Sequence, residues 1–184
     1  KYLNEIPKGC EFGIHYNYDT HLDDNAFQKQ KRDIENILKT PVVAGRAHYL
    51  KFNPLKSLSF WEKMGIKYDE SIGYSDYIGY RTGVAGHYKP YSIELERELN
   101  IIVMPLIVMD TCLVGHFKDT KIQEIEKHVR HLSIVGGAFS IIFHPGRFDN
   151  EEFPASRGVY LNILKIFKKY NAKSILPNEL IKDF

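Results

Sequence analysis

Hydrophobic positions in this chain fall into short runs, and five of those runs end on a residue able to do chemistry. Phe12-Gly13-Ile14 leads into His15, Val42-Val43-Ala44-Gly45 into Arg46, and Gly65-Ile66-Lys67-Tyr68 into Asp69. Leu106-Ile107-Val108-Met109 leads into Asp110, and Ala138-Phe139-Ser140-Ile141-Ile142-Phe143 into His144. Helix-like stretches separate most of these runs. A parallel α/β sheet or barrel reads this way when its reactive groups stand at the carboxyl ends of the strands. Any one of the five also reads as a polar residue that simply ends a strand. Five in register favour a shared face.

The same patterning predicts the elements. Residues 1–10 read as a connecting segment with a turn at Pro7-Lys8-Gly9. A strand over 11–15 gives way to a loop rich in Tyr, Asn and Asp. Asp23 or Asp24 can cap a helix running to Leu38, with Ile34, Ile37 and Leu38 facing inward and Pro41 closing it. A strand over 42–46 precedes a helix over 54–64, opened by Pro54 and ended by Gly65, and a strand over 66–69 follows. The stretch 71–90 is full of Gly and Tyr; loops that long inside compact domains usually carry function or are disordered. Next come an extended segment over 101–110 and a helix over 119–134, in which Ile122, Ile125, Val129 and Leu132 recur at helical spacing. A strand over 138–144, a helix over 156–170, a short strand at 174–176 and a terminal helical turn complete the chain. Strand-helix alternation makes the fold class α/β with a largely parallel sheet, in one domain over 1–184.

Composition narrows the classes of function. The 184 residues suffice to bury a core, and 43% hydrophobic with 26% charged residues is the balance of an ordinary soluble globular protein. Twenty-five Lys and Arg against 23 Asp and Glu leave a formal charge of +2, which gives no support for nucleic acid as a partner. The basic cluster at 29–32 reads as the wet face of a helix. Cys10 and Cys112 make neither a metal-type spacing nor a disulfide framework, and they fit a reducing cytoplasm without requiring it. The longest apolar run, 101–109, is broken by Pro105 and falls short of a membrane span. The chain opens on Lys1 without an initiator Met, so an upstream segment is expected to have been removed and localisation stays open.

Three segments carry the candidate chemistry. In Gly13-Ile14-His15-Tyr16-Asn17-Tyr18-Asp19, a strand-end His is followed four residues later by a carboxylate, and both groups suit zinc and related divalent ions. In Gly45-Arg46-Ala47-His48-Tyr49, Arg46 can hold a carboxylate bidentately, His48 can ligate a metal or move a proton, and the Tyr49 N–H can stabilise an oxyanion. The alternative there is a salt-bridging Arg beside a packed aromatic. In Phe143-His144-Pro145-Gly146, a strand delivers His144 into a turn, a placement suited to general acid–base work or to a hydrogen-bonded structural His. Tyr74, Tyr77, Tyr80, Tyr88 and Tyr91 read either as a sugar-stacking platform or as the packing of a long loop. His21, His87 and His116 fall in expected loops, and His128 and His131 on a solvated helix face.

Taken in order, these segments resemble the polysaccharide deacetylase family of carbohydrate esterases, the NodB-homology domain, and within it a divergent bacterial branch. The matching stretches are 13–19, Arg46-Ala47-His48-Tyr49, 68–76 and Phe143-His144, so the resemblance spans about residues 11–180. It implies a distorted (β/α) barrel, incomplete at its N-terminus, that removes N-acetyl groups from sugars of a surface or secreted polysaccharide with a divalent metal. Zinc is the expected ion, with nickel and cobalt as alternatives.

By position, His15 matches the first His of the family's His-x-x-x-His motif, and Asp19 stands where the second is expected. His48 replaces the Pro of an Arg-x-Pro-Tyr motif and is the candidate third ligand. Arg46 would orient the catalytic carboxylate, Tyr49 would supply the oxyanion N–H, and His144 would protonate the leaving amine. Asp69 or Asp76 would tune that His. Tyr74, Tyr80, Arg81 and Asp110 are the expected substrate contacts. The family's Asp-Asp motif has no counterpart here, and Asp23-Asp24 follows the His motif instead of preceding it. The 184 residues alone are therefore expected to turn over little or nothing. The alternative is a catalytically silent domain of the same type that binds carbohydrate or a protein partner. A third possibility, an unrelated α/β metal hydrolase, would keep His15, Asp19 and His144 together without the acetyl substrate.

Overall fold

The computed structural model describes residues 6, 9–113, 118–149 and 151–183. Pro7 and Lys8 of the expected opening turn, and His116, lie outside that set. The fold is mixed α/β with parallel strands, and its backbone gathers into two compact units. The first comprises residues 1–69, 89–102 and 174–184; the second comprises 70–88 and 103–173.

In the first unit, β1 (Ile14–Tyr16), β2 (Ala44–Ala47) and β3 (Tyr68–Asp69) run parallel in that spatial order. Ile14 stands opposite Gly45, His15 opposite Arg46, and Gly45 opposite Asp69. Between β1 and β2 lies α1 (Asp24–Leu38), started by the Asp23 carboxylate, which accepts from the Ala26 N–H at 2.9 Å. Phe27 is fully buried on its inner stripe and Ile34 and Leu38 half-buried, while Ile37 is 66% exposed. Ile37 was expected inside. The stripe 27-31-34-38 leaves it one residue off the inward row.

The next helix, α2 (Ser57–Lys63), begins later than the expected 54. Asn53 explains the delay: its Oδ1 accepts from the N–H groups of Leu55 and Lys56 and holds 54–56 as a turn. Its Trp61 stacks on Tyr16 at 5.1 Å, and Tyr16 and Phe60 each meet Phe27. Such ring pairs add about 0.5–1.5 kcal/mol each beyond the area they bury.

A short antiparallel hairpin follows, β4 (Tyr91–Ser92) with β5 (Arg97–Glu98), which the sequence pattern does not announce. The fourth strand of the main sheet is β6 (Ile102–Val103), where the Ile102 N–H donates to the Lys67 carbonyl at 2.8 Å. The strand expected at 174–176 takes no place in a sheet among the described residues. It leads instead into α5 (Pro177–Leu180), with the Leu176 N–H turned toward the Glu179 carboxylate.

The second unit is built on β7 (Leu106–Met109) and β8 (Ser140–Ile142), parallel with a bulge between Leu106 and Val108. The helices α3 (Lys118–Val135) and α4 (Ser156–Lys169) pack on each other and bury Ile125, Val129, Val159, Ile163 and Ile166 with Ile107 and Val108. That is the helical stripe read from the sequence of α3. The long stretch 70–88 is irregular but not loose: the Leu106 N–H donates to Ile72 O, and the Gly79 N–H donates to Ile107 O. Among the described residues no helix is long and apolar enough to cross a membrane.

Candidate functional site

Two adjacent parallel strands of the second unit end on an acid and a base. Asp110 opens the 3-10 turn after β7, and His144 follows β8 at the start of another, Pro145–Phe148. One carboxylate oxygen of Asp110 accepts from the His144 backbone N–H at 2.6 Å, and the other accepts from the ring Nδ1–H at 2.8 Å. A carboxylate at this contact can only accept, so Nδ1 carries the proton and Nε2 is the open nitrogen. The Asp110 side chain is 3% exposed and that of His144 is 54% exposed. A buried acid thus orients an imidazole whose reactive edge meets solvent, the arrangement of an oriented general acid–base.

The sequence placed Asp110 among the substrate contacts and gave the tuning role to Asp69 or Asp76. The carboxylate on His144 is Asp110. Asp76 is exposed, with one oxygen 3.5 Å from the Ser75 hydroxyl, and Asp69 is fully buried at the end of β3. Beside Asp110, the Thr111 hydroxyl donates to the Ser75 carbonyl and ties the 73–77 loop to the end of β7. In that loop Tyr74 meets the Tyr77 ring edge-on, Arg81 donates to the Gly73 carbonyl at 3.2 Å, and its guanidinium lies 5.8 Å from the Tyr74 ring. Tyr80 is turned away from this role. Its ring packs edge-on against His128, and burial pushes its phenol up to about 12. The same packing makes His128 half-buried instead of solvated, and desolvation lowers its pKa.

In the first unit the carboxyl ends of β1 and β2 bring together a second group. The rings of His15 and His48 meet edge-on with centroids 4.9 Å apart. His15 Nδ1 donates to the Arg46 carbonyl at 3.0 Å, the kind of backbone hydrogen bond that commonly orients a metal-ligating imidazole. The 4.9 Å separation of the two rings is the ordinary one of an edge-to-face ring pair, and imidazole is a common ligand of divalent ions. Of the expected ligands, the structure brings His15 and His48 together. Asp19 lies exposed in the 3-10 turn Tyr18–Thr20, and no group of three or more His, Cys, Asp and Glu disposed to hold a metal occurs among the described residues.

His48 opens a tight turn, closed by the Lys51 N–H donating to the His48 carbonyl at 3.2 Å. Its two central residues, Tyr49 and Leu50, have φ of 56° and 51°. Both therefore occupy the left-handed region, where bulky side chains rarely sit.

No family model, curated protein or solved structure matches this chain. Two residues of the first unit escaped the sequence reading. Tyr18 meets Tyr49 edge-on at 6.2 Å, and the Lys51 ammonium stands 3.6 Å over the Tyr18 ring while donating to the Tyr18 carbonyl. The Tyr-rich composition of 16–18 and 49 was the available signal; the adjacency of β1 and β2 was needed to use it. His21 has a structural place, with Nε2 2.8 Å from the buried Ser57 hydroxyl at the start of α2. Burial first, and the Lys51 charge second, lower its pKa and favour the neutral ring.

Proposed function

We propose that this chain is the hydrolase domain of a metal-dependent sugar N-deacetylase, with the distorted (β/α) barrel of that class as its architecture. The observation that carries the reading is the buried Asp110 holding His144 with its Nε2 edge open. Hydrolysis of an acetamide needs a proton delivered to the departing amine nitrogen as the C–N bond breaks. His144 in its protonated form supplies that proton from Nε2, and Asp110 stabilises the imidazolium and fixes its direction. Taken by itself, the first unit offers His15 and His48 as candidate ligands for the divalent ion, with zinc expected, and the Tyr49 amide beside them as a candidate oxyanion donor. When bound, such an ion polarises a carbonyl and lowers the pKa of its water.

Acetate release from an N-acetylated oligosaccharide tests the reading, with the full-length gene product supplied with zinc, nickel or cobalt. Release that falls by about 10²–10⁴-fold in His144→Ala supports it. Release equal in His144→Ala and wild type would sink it. Saccharide binding with no release under any of the three metals would favour the silent-domain alternative.

A further inference from the structure

We propose that Tyr49 and Tyr18 form a stacking site for the pyranose ring of a saccharide at the open ends of β1 and β2. This deepens the N-deacetylase reading by assigning a substrate contact. It also stands as a binding statement when turnover is set aside. Tyr49 is 78% exposed and Tyr18 is 50% exposed, although both are large aromatics that folding ordinarily covers. They are not isolated. Tyr18 meets Tyr49 at an interplanar angle of 83°, and Tyr49 meets His48 at 4.3 Å, so the rings form a corner beside the imidazole pair.

The backbone is built to hold Tyr49 outward. In the left-handed turn Leu50 is buried as an anchor, and Tyr49, equally left-handed, is thrown into solvent. An Asn or Gly would adopt that conformation at less cost, and a ring left 78% exposed touches only Tyr18 and His48 at its edges, a small return against the strain. Strain kept for so little burial points to use of the side chain. Lys51 fixes the other wall, with its ammonium over one face of Tyr18 and bonded to the Tyr18 carbonyl. An amphipathic ligand with an apolar C–H face and a hydroxylated rim suits such a corner: the face stacks on Tyr49 and the rim meets His48 and Lys51. A sugar ring has that chemistry.

The test is calorimetric titration of the full-length protein with a tetramer of N-acetylglucosamine and with its deacetylated form. It compares wild type, Tyr49→Phe, Tyr49→Asn and Tyr18→Ala, and follows the thermal midpoint of each. Tyr49→Asn keeps the backbone N–H and suits the left-handed turn, so it isolates the ring. The expected result is binding retained in Tyr49→Phe, weakened at least tenfold in Tyr49→Asn and Tyr18→Ala, and a thermal midpoint in Tyr49→Asn equal to or above wild type. Unchanged affinity in Tyr49→Asn overturns the stacking site while leaving the deacetylase reading intact. No binding of either tetramer by wild type overturns it as well. A lowered midpoint in Tyr49→Asn, with loss of binding, assigns the ring to packing and also overturns the proposal. Binding with the expected losses but no acetate release keeps the stacking site and removes the deacetylase reading.

Discussion

At the scale of single residues, the chemistry turns on which nitrogen of His144 is free. Asp110 presents two acceptors to two donors, the ring Nδ1–H and the backbone N–H of the same residue. Asparagine offers one acceptor and one donor in the same space. Asp110→Asn must therefore either turn its amide against the backbone N–H or push the imidazole into the other tautomer. Under the proposed N-deacetylase reading the expected outcome is a fall in kcat of about 10²–10⁴-fold with little change in KM, and under any reading a stability loss of about 1–3 kcal/mol from the buried mismatch. Nitrogen NMR of the His144 ring separates the two effects without an assay of turnover. Nδ1 is protonated in the wild type, and a shift of the proton to Nε2 in the variant is the predicted signature. A variant of unchanged tautomer and unchanged kcat would remove Asp110 from the chemistry. The sequence showed both strand ends as candidates but could not pair them, because 34 residues separate Asp110 from His144 and only the β7–β8 register closes that gap.

At the scale of elements, one glycine decides how β1 and β2 lie together. A Cβ placed on Gly45 would stand 1.8 Å from the Tyr16 hydroxyl and 2.1 Å from its ring carbon. The phenol of Tyr16 crosses β2 at that point on its way to Trp61 and Phe27, so any side chain at 45 displaces the aromatic core of the first unit. Gly45→Ala is expected to cost about 1–3 kcal/mol or more, seen as a lowered urea midpoint. In a Tyr16→Ala background the same substitution should cost almost nothing further, because the obstructing ring is gone; equal costs in both backgrounds would dismiss the steric account. This contact was invisible in the sequence, where Gly45 reads only as one of the residues leading into Arg46. Legibility tracked period and length. The helices α1, α3 and α4 carry long apolar stripes and were placed within a few residues, whereas the hairpin at 91–98 has two-residue strands too short to show alternation. The strand read at 174–176 failed for the converse reason, since a short apolar run specifies no partner and pairing is what makes a strand.

At the scale of the whole molecule, a formal charge of only +2 leaves little general repulsion near neutrality, so the response to acid falls on particular carboxylates. Glu62 in the first unit accepts from both Arg97 and the Asn100 N–H, and the Arg97 hydrogen bond, above all, lowers its pKa below the ordinary 4.5. Glu126 in the second unit is lowered in the same direction, first by its hydrogen bond from Lys169 and then by that from Tyr170. Both carboxyls hold their protons less tightly folded than unfolded. Their contribution to stability is therefore complete above pH 4.5 and drains away as the pH falls through the lower folded values. Glu62 is the informative one, because its side chain is only 16% exposed and it joins α2 to the hairpin strand β5, whereas that of Glu126 is 31% exposed and more open to screening. Urea unfolding of wild type and Glu62→Gln from pH 7 down to about 3 reads this directly. The variant should be less stable at neutral pH, and the two curves should converge below pH 4.5, since glutamine imitates the protonated acid at every pH. A gap that stays constant down to the lowest pH would mean that Glu62 acts through shape and hydrogen bonding alone, with its charge contributing nothing.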